Sequence, residues 1–375
     1  MARILQDGFD QAIPEKVSGT VYPYAGRSNW AASISHYGGE DRGRIYPTPS
    51  YAFDPPNVND CGLLFERTTS DNDLTFQVCL YQYIPTPRDI LFSRFMFYCA
   101  GGYSQRSIFA FDDGNSLLDA SSMQLKYSGN SDLLELYVDD VMVASVVGAI
   151  YPGVWALVEV KYDAVAGQIV VKVDGGIVID YSGVIDTDIT TVIIGNNDSN
   201  TRAYSDAIFR QAIDHLAVND DTGSVNNSWI GGGIITILRP TADGTNSAFT
   251  PLGGGDNYVE VDDVWNDYDT SYNESSALND IDSFTIESVP TVSTSQSINA
   301  VKVCAMGKAS EYAASIATYF KSGPTESVGG ENKLFLNSYV NQAETIYDID
   351  PNTSAQWTEA NVNASEVGYK HIAST

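Results

Sequence analysis

The sequence predicts an all-β protein built as two β-sandwiches, and three observations carry that prediction. The stretch 155–181 reads as a strand meander. About a dozen further short runs of strand-like length are separated by turn residues, with no convincing helical period among them. The composition then shifts at Asn219-Asp220-Asp221-Thr222-Gly223-Ser224. That shift sets a domain boundary, giving 1–222 as a jelly roll with a loop-rich N-terminal segment and 223–375 as a second β-sandwich.

The meander is the anchor. Leu157 and Glu159 share one parity, and Val158, Val160 and Tyr162 share the other. In the next arm Ile169, Val171 and Val173 alternate with Gln168, Val170 and Lys172. A two-residue period rich in β-branched side chains is a strand signal. Asp163 to Gly167 and Asp174-Gly175-Gly176 supply the turns, because Gly and Asp tolerate the positive φ that tight hairpins need.

Before it, residues 1 to about 60 are rich in Tyr, Gly and Pro. Ile4-Leu5 and Phe9 suit a short opening strand, and Pro47, Pro49, Pro55 and Pro56 argue against central strands. From Cys61 the strand signal is strong: Gly62–Arg67, Asp73–Ile84, Ile90–Cys99, Ser107–Asp112, Met123–Tyr127, Leu133–Val138 and Val141–Val147 precede the meander, and Thr190–Gly195 and Ala212–Asn219 follow it. Turns every 8–12 residues mean a sandwich. In the second half, Ile234–Leu238, Ile298–Met306, Ala314–Lys321, Lys333–Thr345 and Val362–His371 read as strands, and 241–255 as a long polar loop.

Composition narrows function. The chain has 375 residues, 48 acidic against 20 basic, and a formal net charge of −28. Such a surface repels nucleic acid and anionic membranes. It also suits solubility, Ca²⁺ ligation or docking on a basic partner. Cys61, Cys79, Cys99 and Cys304 lack C-x-x-C spacing, which argues against a zinc ribbon or redox motif. The opening M-A-R-I-L-Q-D-G-F-D has no apolar signal region, and no run of 18 apolar residues predicts a membrane span.

Two ordered sets of motifs carry a resemblance. W-x-L-V-E-V-x-Y, then a strand ending in Asp174-Gly175, then V-I-I-G, then Asp214-His215-Leu216 resembles a concanavalin A-like (laminin G-like) jelly roll across about 60–220. In the second half, Trp229, Ser247 to Pro251, Asn257-Tyr258, Asp269 to Tyr272, Asp282 with Phe284, Asp350-Pro351, Trp357-Thr358, Val362 to Ala364, Gly368 and Lys370 resemble, in order, a region of structural proteins of tailed bacteriophages. One departure is W-I-G-G-G, where the pattern has a Gly-Asp pair and then a basic strand. The resemblance implies a non-enzymatic virion component, in the tail or on the capsid surface. It would be made in the host cytoplasm and assembled with other virion proteins and with copies of itself. It would display a lectin-like domain.

The alternatives are a host-surface carbohydrate-binding module, with Ca²⁺ as the candidate cofactor, and a glycoside hydrolase. Laminin G-like domains often hold Ca²⁺ at a sandwich rim, and that cation takes six to eight oxygens. Candidate ligands are Asn196, Asn197 and Asp198, the run Asp112-Asp113-Gly114-Asn115, and Asp262, Asp263, Asp267 and Asp269 in the second half. Ordinary Asx turns account for the same loops. Tyr22, Tyr24, Trp30 and Tyr37 are candidates for stacking on sugar or on a protein partner, or for pinning the N-terminal segment to the sandwich. Hydrolysis needs two carboxylates facing each other across a fixed gap. Here Asp71-Asn72-Asp73, Asp139-Asp140 and Asp186-Thr187-Asp188 fall in turns, and Glu159 has Lys161 as its neighbour two along. No catalytic residues are therefore assigned. The two G-G-G runs lack a following helix with Lys, so a phosphate cradle is not expected.

Overall fold

The computed structural model describes residues 3–7, 22–23, 30–36, 43–48, 62–67, 76–100, 105–114, 121–197, 210–263, 269–292, 296–310, 314–334, 336 and 342–374. Contacts divide these into two compact units. One contains Trp30–Thr236 and the strands before it, and the other contains Ile237–Thr375.

In the N-terminal unit the early strands are β1 (Arg3–Asp7), β2 (Tyr22–Pro23), β3 (Trp30–His36), β4 (Gly43–Thr48) and β5 (Gly62–Arg67). Next come β6 (Phe76–Arg88), β7 (Ile90–Cys99), β8 (Arg106–Asp112), β9 (Met123–Ser128), β10 (Leu133–Val138) and β11 (Val141–Val147). The meander follows as β12 (Ala156–Asp163), β13 (Gln168–Val173) and β14 (Gly176–Ser182), then β15 (Ile189–Asn196) and β16 (Arg210–Asp220). One sheet runs β14-β13-β12-β7-β16-β5-β4, with β1 on β16; the other runs β11-β10-β9-β8-β15-β6-β3-β2. The strand pairings described in this unit are antiparallel, and Val160 sits between Ser93 and Val171 in the register.

The alternation read from the meander places its side chains. Val158, Val160, Tyr162, Ile169 and Val171 are fully buried and face the second sheet. Phe95 stacks on Phe109 at 5.0 Å, and Phe111 meets Tyr162 edge-on at 5.8 Å, so aromatic rings tie the layers together. Burying such a side chain contributes on the order of 2 kcal/mol. Two segments differ from expectation. β3 and β4 lie in the proline-rich stretch expected to be loop. Pro47 is tolerated because β4 ends its sheet, where one row of backbone groups has no strand partner.

The outer face of the first sheet explains the W-I-G-G-G departure. Arg94, Glu159, Asp214 and His215 are buried there. The backbone of 228–235 lies across them: Gly231 N–H donates to Glu159 Oε1 at 2.8 Å, Arg94 Nη1 donates to Gly233 O at 2.6 Å, and Ile235 N–H donates to His215 Nδ1 at 3.3 Å. Lys172 Nζ sits 3.6 Å from the Trp229 ring centroid. Burial lowers the Arg94 guanidinium to about 10, against the pull of Asp214 and Glu159. The segment expected as strand Ile234–Leu238 is thus outside any ladder, and its leading part is held by side chains.

The C-terminal unit is a second, smaller sandwich. Its strands are β17 (Pro240–Ser247), β18 (Thr250–Pro251), β19 (Asn273–Glu274), β20 (Ile281–Ile286), β21 (Val301–Met306), β22 (Ala314–Ser322), β23 (Thr325–Val328), β24 (Asn332–Leu334), β25 (Gln342–Tyr347) and β26 (Glu366–Ser374). A sheet β17-β20-β26-β22-β23, with β24 on β22, packs against the ladder β21-β25. Phe320, Trp357, Val303 and Val362 form its core. The expected polar loop 241–255 opens instead as β17, an edge strand broken by two register shifts. The expected strand Val362–His371 begins later, because Glu359–Asn363 forms a helical turn (α1) capped by the Thr358 side chain accepting from Asn361 N–H.

Candidate functional site

At one end of the N-terminal sandwich four connections bring acidic residues together. They are the β6–β7 corner (Asp89), the end of β8 (Asp112, Asp113), the β10–β11 turn (Asp139, Asp140) and the loop between β14 and β15 (Asp186, Asp188). Local chemistry fixes each one. Asp139 and Asp140 have φ of 48° and 61°, and Asp is among the few residues that adopt this conformation at low cost. Asp188 N–H donates to Asp89 Oδ1 at 2.9 Å, joining the corner to the loop. Tyr162, buried in the core, donates its hydroxyl to Asp186 O at 2.7 Å and so holds the loop from below.

Asp112 is the centre of this arrangement. It is fully buried, and its Oδ1 accepts from Gly114 N–H at 2.6 Å. Gly114 has φ +87°, and a Cβ there would stand 2.8 Å from Thr190 Oγ1, so only glycine serves the turn. Asp112 Oδ2 is buried and accepts no hydrogen bond. Burial, only partly offset by the Gly114 hydrogen bond, raises this carboxyl to about 6, and Asp113 and Asp186 push it further the same way. Asp139 is also raised, by burial first, then by the charge of Asp186 and a hydrogen bond with it, then by Asp113 and Asp140. Burial, followed by Asp186, Asp139, Asp113 and Asp89, pushes the Tyr162 hydroxyl far up.

Asp112 Oδ2 is thus a buried carboxylate oxygen without a hydrogen-bond donor, set among acidic turns. Ca²⁺ suits oxygen ligands of this kind. Among the described residues no three acidic, His or Cys groups stand together as a ready metal cage.

The residues singled out from sequence fall elsewhere. Asn196 Oδ1 accepts from Ser107 N–H at 3.2 Å, and Asn197 bridges Gln124 (2.6 Å) and Ser121 (2.8 Å). Both are buried and pin the second sheet's edge-to-edge packing. Asp269 pairs with Lys308, and Asp263 Oδ2 accepts from Ser271 Oγ at 2.9 Å. Tyr22 lies on β2 and Trp30 on β3. Asp198, Asp267, Tyr24 and Tyr37 lie outside the described residues. Asp112 and Asp113 alone of the expected cation loops belong to the acidic end. Asp89, Asp139 and Asp186 carry a signal in the sequence only once the turns are assigned to one end of the sandwich.

In the C-terminal unit the motif residues of the second resemblance converge as well, and they build a polar knot. Asp282 is fully buried and accepts from Ala248 N–H (2.8 Å), Phe249 N–H (2.9 Å), Asn257 Nδ2 (2.8 Å) and the Tyr369 hydroxyl (3.3 Å). Asn273 Nδ2 donates to Asn257 O and to the Tyr369 hydroxyl. A Cβ on Gly368 would stand 1.9 Å from Asp282 O. Asp350 accepts from Asn352 N–H, Thr353 Oγ1 and Asn361 Nδ2, and Trp357 Nε1 donates to Tyr347 O at 2.9 Å. The ordered pattern is the wiring of this unit.

No family model matches the chain, and no curated protein matches it. Among solved structures, a sialidase is similar at TM-score 0.37 and 13% identity, over 56% of this chain and 18% of its own. The chain thus spans less than a fifth of that sialidase. A cellulose-induced protein, Cip1, is similar at TM-score 0.36 and 11% identity, over 54% of this chain and 94% of its own. A Bacillus subtilis protein with a galectin-like fold is similar at TM-score 0.35 and 12% identity, over 55% and 98%. The two-layer architecture rests on the strand pairing of the chain itself.

Proposed function

We propose that this chain is a non-enzymatic structural protein that displays its N-terminal sandwich as a glycan-binding module, with Ca²⁺ bound at the acidic end. The observation that carries the reading is the buried Asp112 oxygen without a donor, set among the acidic turns of one end of the sandwich. Carboxylates short of donors accept hydroxyl groups, and Ca²⁺ with open positions takes sugar hydroxyls as ligands.

The setting proposed for this module is a tailed-phage particle, on the tail or the capsid surface, with other virion proteins as partners. The support for that part is the ordered sequence resemblance, several of whose residues hydrogen-bond around Asp282 in the C-terminal unit. A glycan array probed with the full chain tests the binding part. Signal in Ca²⁺ that is lost with chelator and with Asp112→Asn is the expected result; no signal in either condition rejects it. Mass spectrometry of purified particles tests the setting, and absence of the chain from them rejects it.

A further inference from the structure

We infer that His215 is a pH-sensitive clasp: its neutral ring holds the segment 228–235 down on the first sheet, and protonation of the ring lets the segment go. The inference stands apart from the acidic end and uses neither cation nor glycan. Residues 221–239 join no strand ladder. Side chains of the sheet tie 228–235 down instead. Asn219 Nδ2 donates to Ser228 O at 3.1 Å, Glu159 accepts from Gly231, Arg94 donates to Gly233, and His215 accepts from Ile235. Ser228 to Thr236 include no charged residue, so every titratable group in these contacts belongs to the sheet.

A bulge aims His215 at the segment. On β16, Asp214 pairs with Met96 and Ala217 with Arg94, so His215 and Leu216 together oppose the single residue Phe95. His215 has φ +51° there, a left-handed conformation uncommon outside glycine. Leu216 goes into the core, while the His215 ring meets Ile235. Bulges re-aim side chains, and residues in sparsely populated conformations gather at switches.

The contact exists in one protonation state only. Nδ1 accepts from Ile235 N–H at 3.3 Å, so this nitrogen carries no proton while the segment is down. A proton on Nδ1 sets N–H against N–H. Its alternative acceptor is Asp214 Oδ1, 3.5 Å away, which also accepts from the His215 backbone N–H at 2.6 Å. Asp214 on β16 and Glu159 on β12 favour the charged ring; Arg94 on β7, Lys172 on β13 and burial oppose it. β1 brings Asp7 opposite Leu216, and β5 meets β16 only as far as Ile213. Acid thus trades the Ile235 contact for the Asp214 pair and bares Arg94 and Glu159, which lie buried under the segment.

Hydrogen exchange of the full chain between about pH 7.5 and 5, corrected for the intrinsic pH dependence of exchange, tests the inference. Opening takes up one proton, so protection of 229–236 should fall about tenfold or more over that range, while 157–173 in the meander keeps its own. His215→Asn accepts a positive φ and does not titrate, so it should make the protection of 229–236 independent of pH. Glu159→Gln should keep the pH dependence, because the Gly231 contact is not the clasp. Nitrogen-15 NMR of the wild-type imidazoles needs no variant to fold. It should show His215 Nδ1 without a proton at the upper pH and protonated as 229–236 opens. Flat protection in the wild type overturns the inference. So does a pH step that survives His215→Asn or is lost in Glu159→Gln, or a His215 ring that stays neutral while the segment opens.

Discussion

The two units hold buried and half-buried carboxylates in opposite ways. In the C-terminal unit Glu366 accepts from Thr245 N–H, Thr245 Oγ1, Ser283 Oγ and Lys321 Nζ, all within 2.9 Å. Burial pushes this carboxyl up, but the donors overcome it and hold it at about 2. Asp350 is held low by the same kind of donor set. At the acidic end of the N-terminal unit, Asp112 has one backbone donor and a bare oxygen, and burial holds it at about 6. The difference is in the supply of donors: a carboxylate surrounded by them is held ionised, and one short of them is pushed toward its protonated form. Asp282 lies between the two cases. Four donors reach it, yet burial keeps it above the usual carboxylate range.

The largest expected effect is at Asp282. Asp282→Ala strands the donors of Ala248, Phe249 and Asn257 in the interior and should destabilise the C-terminal unit by about 3–5 kcal/mol. Thermal unfolding checks this, and a loss below about 1 kcal/mol would remove the knot from the wiring of this unit. A smaller loss is expected for Glu366→Gln, about 1–2 kcal/mol at neutral pH once its part exposure is allowed for. Because the folded pKa lies below the unfolded one, this contribution is present above pH about 4.5 and disappears as pH falls toward 2. Chemical denaturation at pH 7 and pH 3 should show the variant and wild type converging in acid.

Asp112 should behave with the opposite sign. Its folded pKa of about 6 exceeds the ordinary value of 3.8, so the folded chain holds a proton that the unfolded chain releases. Stability should therefore rise as pH falls from 7 through 6 toward 4. Asp112→Asn should stabilise the cation-free N-terminal unit by about 1–2 kcal/mol at pH 7 and flatten that rise. Urea midpoints across this range decide the matter. A variant less stable than wild type at pH 7 would mean that the carboxylate already has the donors it needs.

How far the sequence was legible follows from the range of each signal. The meander could be read to the residue, because Val158, Val160 and Tyr162 alternate strictly and face the core. β4 was hidden by a proline that an edge tolerates, β3 by the loop-like composition around it, and β17 by the T-A-D-G turn chemistry that here makes bulges. Ile234–Leu238 has the apolar pattern of a strand, but Gly231 and Ile235 bond to Glu159 and His215 rather than to a ladder. Partners more than 70 positions away, such as Glu159 for Gly231, leave no local trace. The acidic end was legible only in pieces. Asp112-Asp113 looked like a cation loop, whereas Asp139-Asp140 and Asp186 looked like turns, and only the strand order places them at one end.

Calorimetric titration of Ca²⁺ into the full chain near pH 6, repeated in buffers of different ionisation enthalpy, tests the central claim most directly. The account predicts saturable binding with release of about half a proton, because the Asp112 carboxyl, raised to about 6 by burial, must be ionised to hold the cation, and loss of binding in Asp112→Asn. Binding with no proton release, or binding untouched by Asp112→Asn, would contradict it, as would a titration that shows no heat of binding at all.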